Sequence, residues 1–306
     1  MLSDIKTYYT NLKQKILPNF YIGFGTIILL TSIVLIFGLT IWWLNQNSSL
    51  QHIWEPFAFD KKIPASFCEK IGISNPVRQP INTFGNIIYL IASIIIFKRS
   101  WKERHNGDTH DLNTVYSYLL ALILFYVFCA STFYHASLIN LAHKFDYSAV
   151  FSFSLFPVIF FLHSRWLTRN NNLSTLQKRQ SFTVSFLTFL ATNLFLSFLI
   201  PKGKESIAAL IIILVFLGLA IVNILAKPGY PGRHYLILSV SSILIALLWF
   251  EFDKNKVLCN PGSYFQPHGL WNMFVGSSAF YFFLYINSQQ KNNLKWQGRN
   301  ENRINE

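Results

Sequence analysis

The sequence predicts an all-α integral membrane protein with eight spans, and three observations predict it. Of 306 residues, 52% are hydrophobic, 17% aromatic and only 13% charged, far from soluble averages. Eight mostly apolar stretches approach the roughly 18 to 25 residues a helix needs to cross about 30 Å of hydrocarbon. They lack the strict alternation of a barrel strand, and an open strand in lipid leaves its amides without partners, so they read as helices. The third observation is the placement of charge. With alternate loops assigned to opposite sides, 17 of the 26 Lys and Arg residues fall on one side and 9 on the other. That asymmetry places both termini in the cytoplasm by the positive-inside rule.

In chain order, the cytoplasmic N-terminus carries Lys6, Lys13 and Lys15, and the first span covers 20 to 44. At about 25 residues that run is too long for a signal-peptide core, and no small-residue cleavage site follows it, so it reads as a retained anchor. A loop from Asn45 to Pro80 follows. It is external and aromatic-rich (Trp54, Phe57, Phe59, Phe67), punctuated by Pro64, Pro76 and Pro80, and expected to pack over the outer mouth of the bundle. The second span runs from Ile81 to Phe97, with Pro80 at its start, where a missing amide hydrogen costs little. The remaining spans cover 113 to 134, 146 to 164, 181 to 200, 206 to 226, 234 to 252 and 268 to 287. The inner loops carry Lys98, Arg99, Lys102 and Arg104, then Arg165, Arg169, Lys178 and Arg179, then Lys227 and Arg233. The tail, 289–306, is polar and Asn-rich, adds Lys291, Lys295, Arg299 and Arg303, and reads as disordered. The net charge of +13 is thus topological, with anionic-lipid contacts, and no nucleic-acid motif accompanies it. Cys68 and Cys259 both fall in external loops; they either pair as a disulfide in an oxidising compartment or stand as two free thiols.

Polar groups inside spans are expensive, so each needs a partner or a purpose. Ser131 and His135, four apart, end the third span on its outer side. Asp146 begins the fourth span, and His268 and Asn272, again four apart, begin the eighth. Asn82 and Asn86 repeat the spacing at the outer start of the second. Two histidines, a carboxylate and a serine therefore share one membrane depth. Two imidazoles, a carboxylate and room for water form a plausible zinc set for hydrolysing an amide or ester. Plainer roles stand beside this one: an interfacial histidine as an ordinary hydrogen bonder, Asp146 as a helix cap, Ser131 bonded back to its own helix.

The string Ser131-Thr-Phe-Tyr-His135 with Asp146 downstream resembles the SxxxH...D element of the alkaline ceramidases and their wider membrane-hydrolase superfamily. Cys68-Glu69 followed by Arg78-Gln79-Pro80-Ile81-Asn82-Thr83-Phe84-Gly85-Asn86 is similar to the bacterial members' CE...RQPxNTxSN segment. Cys259-Asn260-Pro261 through Gln266, His268, Gly269, Leu270 and Trp271 resembles their CxP...QxHxLWH segment. The resemblance implies a seven-helix core over 81–288, to which the first span is an N-terminal addition. It implies zinc held by His135 and His268, with Ser131 and Asp146 contacting the metal-bound water and the developing oxyanion, and Asp146 accepting the proton. It implies that Cys68 and Cys259 pair, with Glu69, Asn82 and Asn86 as supporting polar groups. The substrate class implied is a long-chain lipid amide such as ceramide, cleaved to a fatty acid and a sphingoid base.

Two departures accompany it. The family's second histidine of HxxxH falls on Asn272, and an amide oxygen is a much poorer zinc ligand than an imidazole. Four outcomes stay open: Asn272 binds through oxygen, Asp146 becomes a ligand, His143 from the short outer loop substitutes, or the metal is lost. Gly85 stands where the pattern has Ser. Calcium is not expected, because Glu69 is nearly alone among acids near that element. The reading is a zinc-dependent membrane hydrolase acting on a membrane lipid, its site facing the periplasm in a bacterium or the lumen in a eukaryote. The rival is a catalytically silent lipid-binding or sensing member. A transporter is disfavoured, because the polar cluster lies at one interface rather than at the midplane.

Overall fold

The computed structural model describes residues 23–59, 67–105, 112–170, 172–226 and 232–304, with side chains to residue 289. Lys6, Lys13, Lys15, Pro64 and Lys227 lie outside the described residues, as do the side chains of Lys291, Lys295, Arg299 and Arg303. The helices are α1 (Phe24–Gln46), α2 (Pro80–Gly85), α3 (Ile87–His105), α4 (Leu112–Ser137), α5 (Asn140–Arg169), α6 (Thr175–Leu199), α7 (Glu205–Ala226), α8 (Arg233–Lys254) and α9 (Pro267–Ile304). Among the described residues, eight helical stretches are long and apolar enough to cross a membrane, α2 and α3 counting together as one. The chain is thus consistent with a multi-pass membrane protein.

The chain divides into two compact units, the first ending at Thr40 and the second beginning at Ile41. In the first, the described part is most of α1, an apolar run without an Asp, Glu, Lys or Arg. The second unit begins with the last turn of α1, where Asn45 brackets Val77: its Oδ1 accepts from the Val77 amide and its Nδ2 donates to the Val77 carbonyl. From there, α3 packs on α4, α4 on α5, and α5 on both α6 and α7, while α9 lies along α8 and also reaches α3 and α4.

Lipid offers no hydrophobic drive between helices, so packing and interhelical hydrogen bonds hold such a bundle. Phe156, Phe160, Phe161, Phe216 and Phe282 stack and meet edge to face where α5, α7 and α9 converge. Where α9 approaches α3, Gly276 leaves room for Ile88, whose Cγ1 would lie 2.9 Å from a Cβ at that position. Gly232 opens α8 at φ +90°, a conformation glycine tolerates, and the Ser288 side chain fills the space of its missing Cβ. Pro157 sits inside α5 without ending it. α5 and α6 are joined by amides and hydroxyls: Ser148 Oγ donates to Asn193 Oδ1 at 2.8 Å, and Asn193 Nδ2 donates to the Ser148 carbonyl and to Ser152 Oγ, each at 2.8 Å.

One expectation is corrected. The apolar count ends the third span at 134 and starts the fourth at 146, which left His143 in a loop; in the structure α4 runs to Ser137, α5 starts at Asn140, and only Leu138 and Ile139 lie between. The carbonyls that end α4 have partners: the Arg78 and Gln79 amides donate to the Ala136 and His135 carbonyls, and the Arg78 guanidinium donates to the Ser137 carbonyl at 2.7 Å. So satisfied, the helix continues beyond its apolar stretch. Leu138 turns the chain at φ 50°, fully buried. The last helix, α9, is assigned to Ile304 and so runs into the polar stretch 289–306.

Interhelical hydrogen bonds within membranes average about 0.6 kcal/mol and reach about 1.7. Asn193→Ala, which removes three of them at once, is expected to lower unfolding stability by about 1 to 3 kcal/mol in detergent. Thermal or SDS-induced unfolding of the purified protein measures this, and Asn223→Ala, which loses only a bond within its own helix, serves as the low-impact comparison.

Candidate functional site

The loop between α1 and α2 reaches the bundle through aromatic packing. Trp54, Phe59 and Phe67 lie against Tyr134, Leu138 and Ile139 at the α4–α5 turn. The Phe67 ring meets two imidazoles, 5.3 Å from that of His135 and 4.8 Å from that of His268. Those two imidazoles lie 4.7 Å apart, ring centre to ring centre, one from the end of α4 and one from the start of α9. Each turns its Nδ1 toward an oxygen. His135 Nδ1 is 2.7 Å from Gln79 Oε1, and His268 Nδ1 is 3.3 Å from Asp253 Oδ2.

Covalent and backbone links hold this arrangement. Cys68 and Cys259 are joined by a disulfide with Cα atoms 5.5 Å apart, and the Cys68 amide donates to Asp253 Oδ1 at 2.9 Å. Next to it, the buried Glu69 carboxylate accepts from the amides of Ile81 and Asn82, both at 2.7 Å. Glu69 thereby satisfies the amides at the start of α2, a helix whose N-cap, Gln79, makes no side-chain cap bond. Burial raises the Glu69 carboxyl to about 7, although both amides favour its charged form.

A cavity of about 200 Å³ opens beside the imidazoles. Ser131, Asp146, His268 and Asn272 line its polar end. Apolar side chains of α5, α7, α8 and α9 form its walls. Ile207 and Leu210 of α7 and Glu251 and Lys254 of α8 line it and are also exposed, so it reaches the surface between those two helices. Asn272 is nearly fully buried: its Oδ1 accepts from the Tyr89 hydroxyl at 3.0 Å, and its Nδ2 donates to Asn86 Oδ1 at 2.9 Å. Gly85 lies at a close approach: a Cβ there would lie 3.3 Å from the Gly269 Cα and 3.4 Å from the Asn272 amide nitrogen. Asn82 is fully buried, and neither atom of its amide has a hydrogen-bonding partner among the described residues.

Ser131, Asp146, His268 and Asn272 are therefore gathered on one cavity, with His135 against His268. His143 is not with them: it lies within α5, its ring packed on Tyr134 and Tyr147 at 5.4 and 4.7 Å. Asp146 lies inside α5 rather than at its start, which removes the helix-capping role. Sequence reasoning missed Asp253, Gln79 and Tyr89 as partners of the site. Asp253 carried one usable signal, a carboxylate at the end of a span, six residues before Cys259.

Fitness for zinc divides by ligand. Each imidazole has its Nδ1 turned to an oxygen, which leaves Nε2 for a metal; histidine ligands are usually oriented this way. A third imidazole is lacking, and the oxygen of Asn272 is already engaged by Tyr89. No group of three or more His, Cys, Asp and Glu side chains poised to hold a metal occurs among the described residues. The two histidines fit as a pair of donors, and further coordination has to come from Asp146, water or a ligand. The chain matches no protein-family model and no curated protein.

With its carboxyl raised to about 7, Glu69 takes up a proton in the folded state at a higher pH than in the unfolded chain. Its contribution to stability is then fully present below the unfolded value of 4.5 and is lost as the pH rises through about 7. Infrared difference spectra are expected to show a protonated-carboxyl band growing as the pH falls through about 7 and missing in Glu69→Gln.

Proposed function

We infer that this chain is an integral membrane hydrolase of the alkaline ceramidase type, cleaving the amide bond of a long-chain, ceramide-like lipid. The observation that carries the reading is the pairing of His135 and His268, 4.7 Å apart, beside a cavity that Ser131 and Asp146 also line. An apolar-walled cavity with a few polar groups at one end suits a lipid whose reacting carbonyl sits near the head. At about 200 Å³ it holds the reacting end, while the acyl chains extend outward between α7 and α8.

In this reading α2–α9 form the seven-span core and α1 an added anchor. The termini are cytoplasmic, and the site faces the periplasm or the lumen. His135 and His268 would hold zinc through Nε2. When bound, zinc supplies a Lewis acid and a water whose pKa is lowered toward about 7. Asp146 takes the proton from the attacking water and returns it to the leaving amine, so the products are a fatty acid and a sphingoid base. The Ser131 hydroxyl orients Asp146 and donates to the oxygen that gains charge. Phe67 and the loop that carries it close the outer side and exclude bulk water.

One observation favours a second reading, a catalytically silent member that binds a lipid without cutting it. The Asn272 amide is fully engaged with Tyr89 and Asn86, where the resembling family has a third imidazole. Position 272 separates the two. Purified protein is expected to carry about one zinc per chain, lost in His135→Ala, and to release fatty acid from a fluorescent long-chain ceramide in mixed micelles. Zinc absent from both proteins, with hydrolysis appearing only in Asn272→His, would establish the silent reading instead.

A further inference from the structure

Two buried oxygens face the Nδ1 atoms of two histidines that are far apart in sequence. The Gln79 Oε1 is a carbonyl oxygen and can only accept, so at 2.7 Å it requires a proton on His135 Nδ1. A carboxylate likewise only accepts. Asp253 Oδ2 stands 3.3 Å from His268 Nδ1 without closing a hydrogen bond, and neither atom has a hydrogen-bonding partner among the described residues, so each faces the other as its nearest complement. Both acceptors are buried, Asp253 at 1% and Gln79 at 0% exposure, so water does not compete for the imidazoles.

Both acceptors are anchored on their far sides. Asp253 Oδ1 takes the amide of Cys68, and Cys68 is bonded to Cys259, a few residues beyond Asp253. The Gln79 amide donates to the carbonyl of His135 itself, so the backbone and the side chain of one residue grip the same histidine. A site with three imidazoles can tolerate a loosely held ring. One with two has less redundancy, and the tautomer of each ring decides whether its Nε2 carries a lone pair or a hydrogen.

We propose that Asp253 and Gln79 are the positioning residues of the site, fixing His268 and His135 in the Nδ1–H tautomer so that both rings keep a bare Nε2. The inference deepens the metal-site reading above and rests on it for its purpose, but its tautomer claim is tested without metal. Asp253→Asn keeps the shape and the Oδ1 acceptor for Cys68, yet presents an N–H to His268 Nδ1; the ring must then accept there and carry its proton on Nε2. Gln79→Leu removes the acceptor from His135, whereas Gln79→Glu retains one.

The experiment uses full-length, detergent-solubilised protein with ¹⁵N-labelled histidine. Chelator-treated samples are read by NMR for tautomer, and zinc affinity is then measured by chelator competition. Wild type is expected to show His135 and His268 as Nδ1–H. Asp253→Asn is expected to switch His268 to Nε2–H and to weaken zinc about 10- to 100-fold. Gln79→Leu is expected to release His135 from its single tautomer with a similar loss, and Gln79→Glu to retain both properties. A wild-type His268 already protonated on Nε2, or an Asp253→Asn protein with unchanged tautomer and zinc affinity, overturns the proposal. A tautomer that switches as described in a wild type that binds no zinc upholds the positioning roles and removes the metal reading.

Discussion

Two imidazoles packed 4.7 Å apart at the end of an apolar bundle impose a strict condition on their surroundings. Each ring carries one N–H and one lone pair when neutral, and a buried polar group without a partner costs about 1 to 3 kcal/mol. Much of this end of the molecule answers that condition. Gln79 Oε1 meets Nδ1 of one ring from the entry to α2, and Asp253 Oδ2 faces Nδ1 of the other at 3.3 Å from the end of α8. α2 is in turn held by Glu69, and Asp253 by the amide of Cys68. These contacts form one connected set, so a disturbance of the loop between α1 and α2 is a disturbance of both histidines.

This explains why the loop is so rich in aromatics and so poor in linker residues. Trp54 and Phe59 seat it on the α4–α5 turn, Arg78 closes the end of α4, and Phe67 fits its ring edgewise beside both imidazoles. The span interiors follow a different rule. There the bundle uses interlocking phenylalanines, glycines at close approaches, and clusters such as Ser148, Ser152 and Asn193, because packing replaces the hydrophobic effect in lipid. One end of the molecule is shaped for polar chemistry, and its length is shaped for apolar packing.

The spans were legible in the sequence because hydropathy over about 20 residues is a strong signal. Shared depth was legible too: Ser131, Asp146 and His268 fall at one end by topology, and they line one cavity. What stayed hidden depends on partners rather than on pattern. Asp253 looks like an interfacial carboxylate until Cys68 and His268 are seen on its two oxygens. The helical setting of His143 was lost because α5 starts at Asn140, before its apolar stretch does, with the Asn140 amide donating to the Ala58 carbonyl of a distant loop. Gly85 looked like a departure from a motif, and the structure places it close against Gly269 and Asn272.

The disulfide also sets an order of assembly. Cys68 and Cys259 are separated by 191 residues, so a chain made from its N-terminus carries Cys68 unpaired while six further spans are synthesised and inserted. Until Cys259 emerges, the Asp253 side chain lacks its neighbouring crosslink, and His268 has yet to be made. The histidine pair is therefore completed only once the chain has been made through His268, six spans after Cys68. A truncated or stalled chain carries His135 alone, so the nascent protein passes through the membrane-insertion machinery without an assembled site.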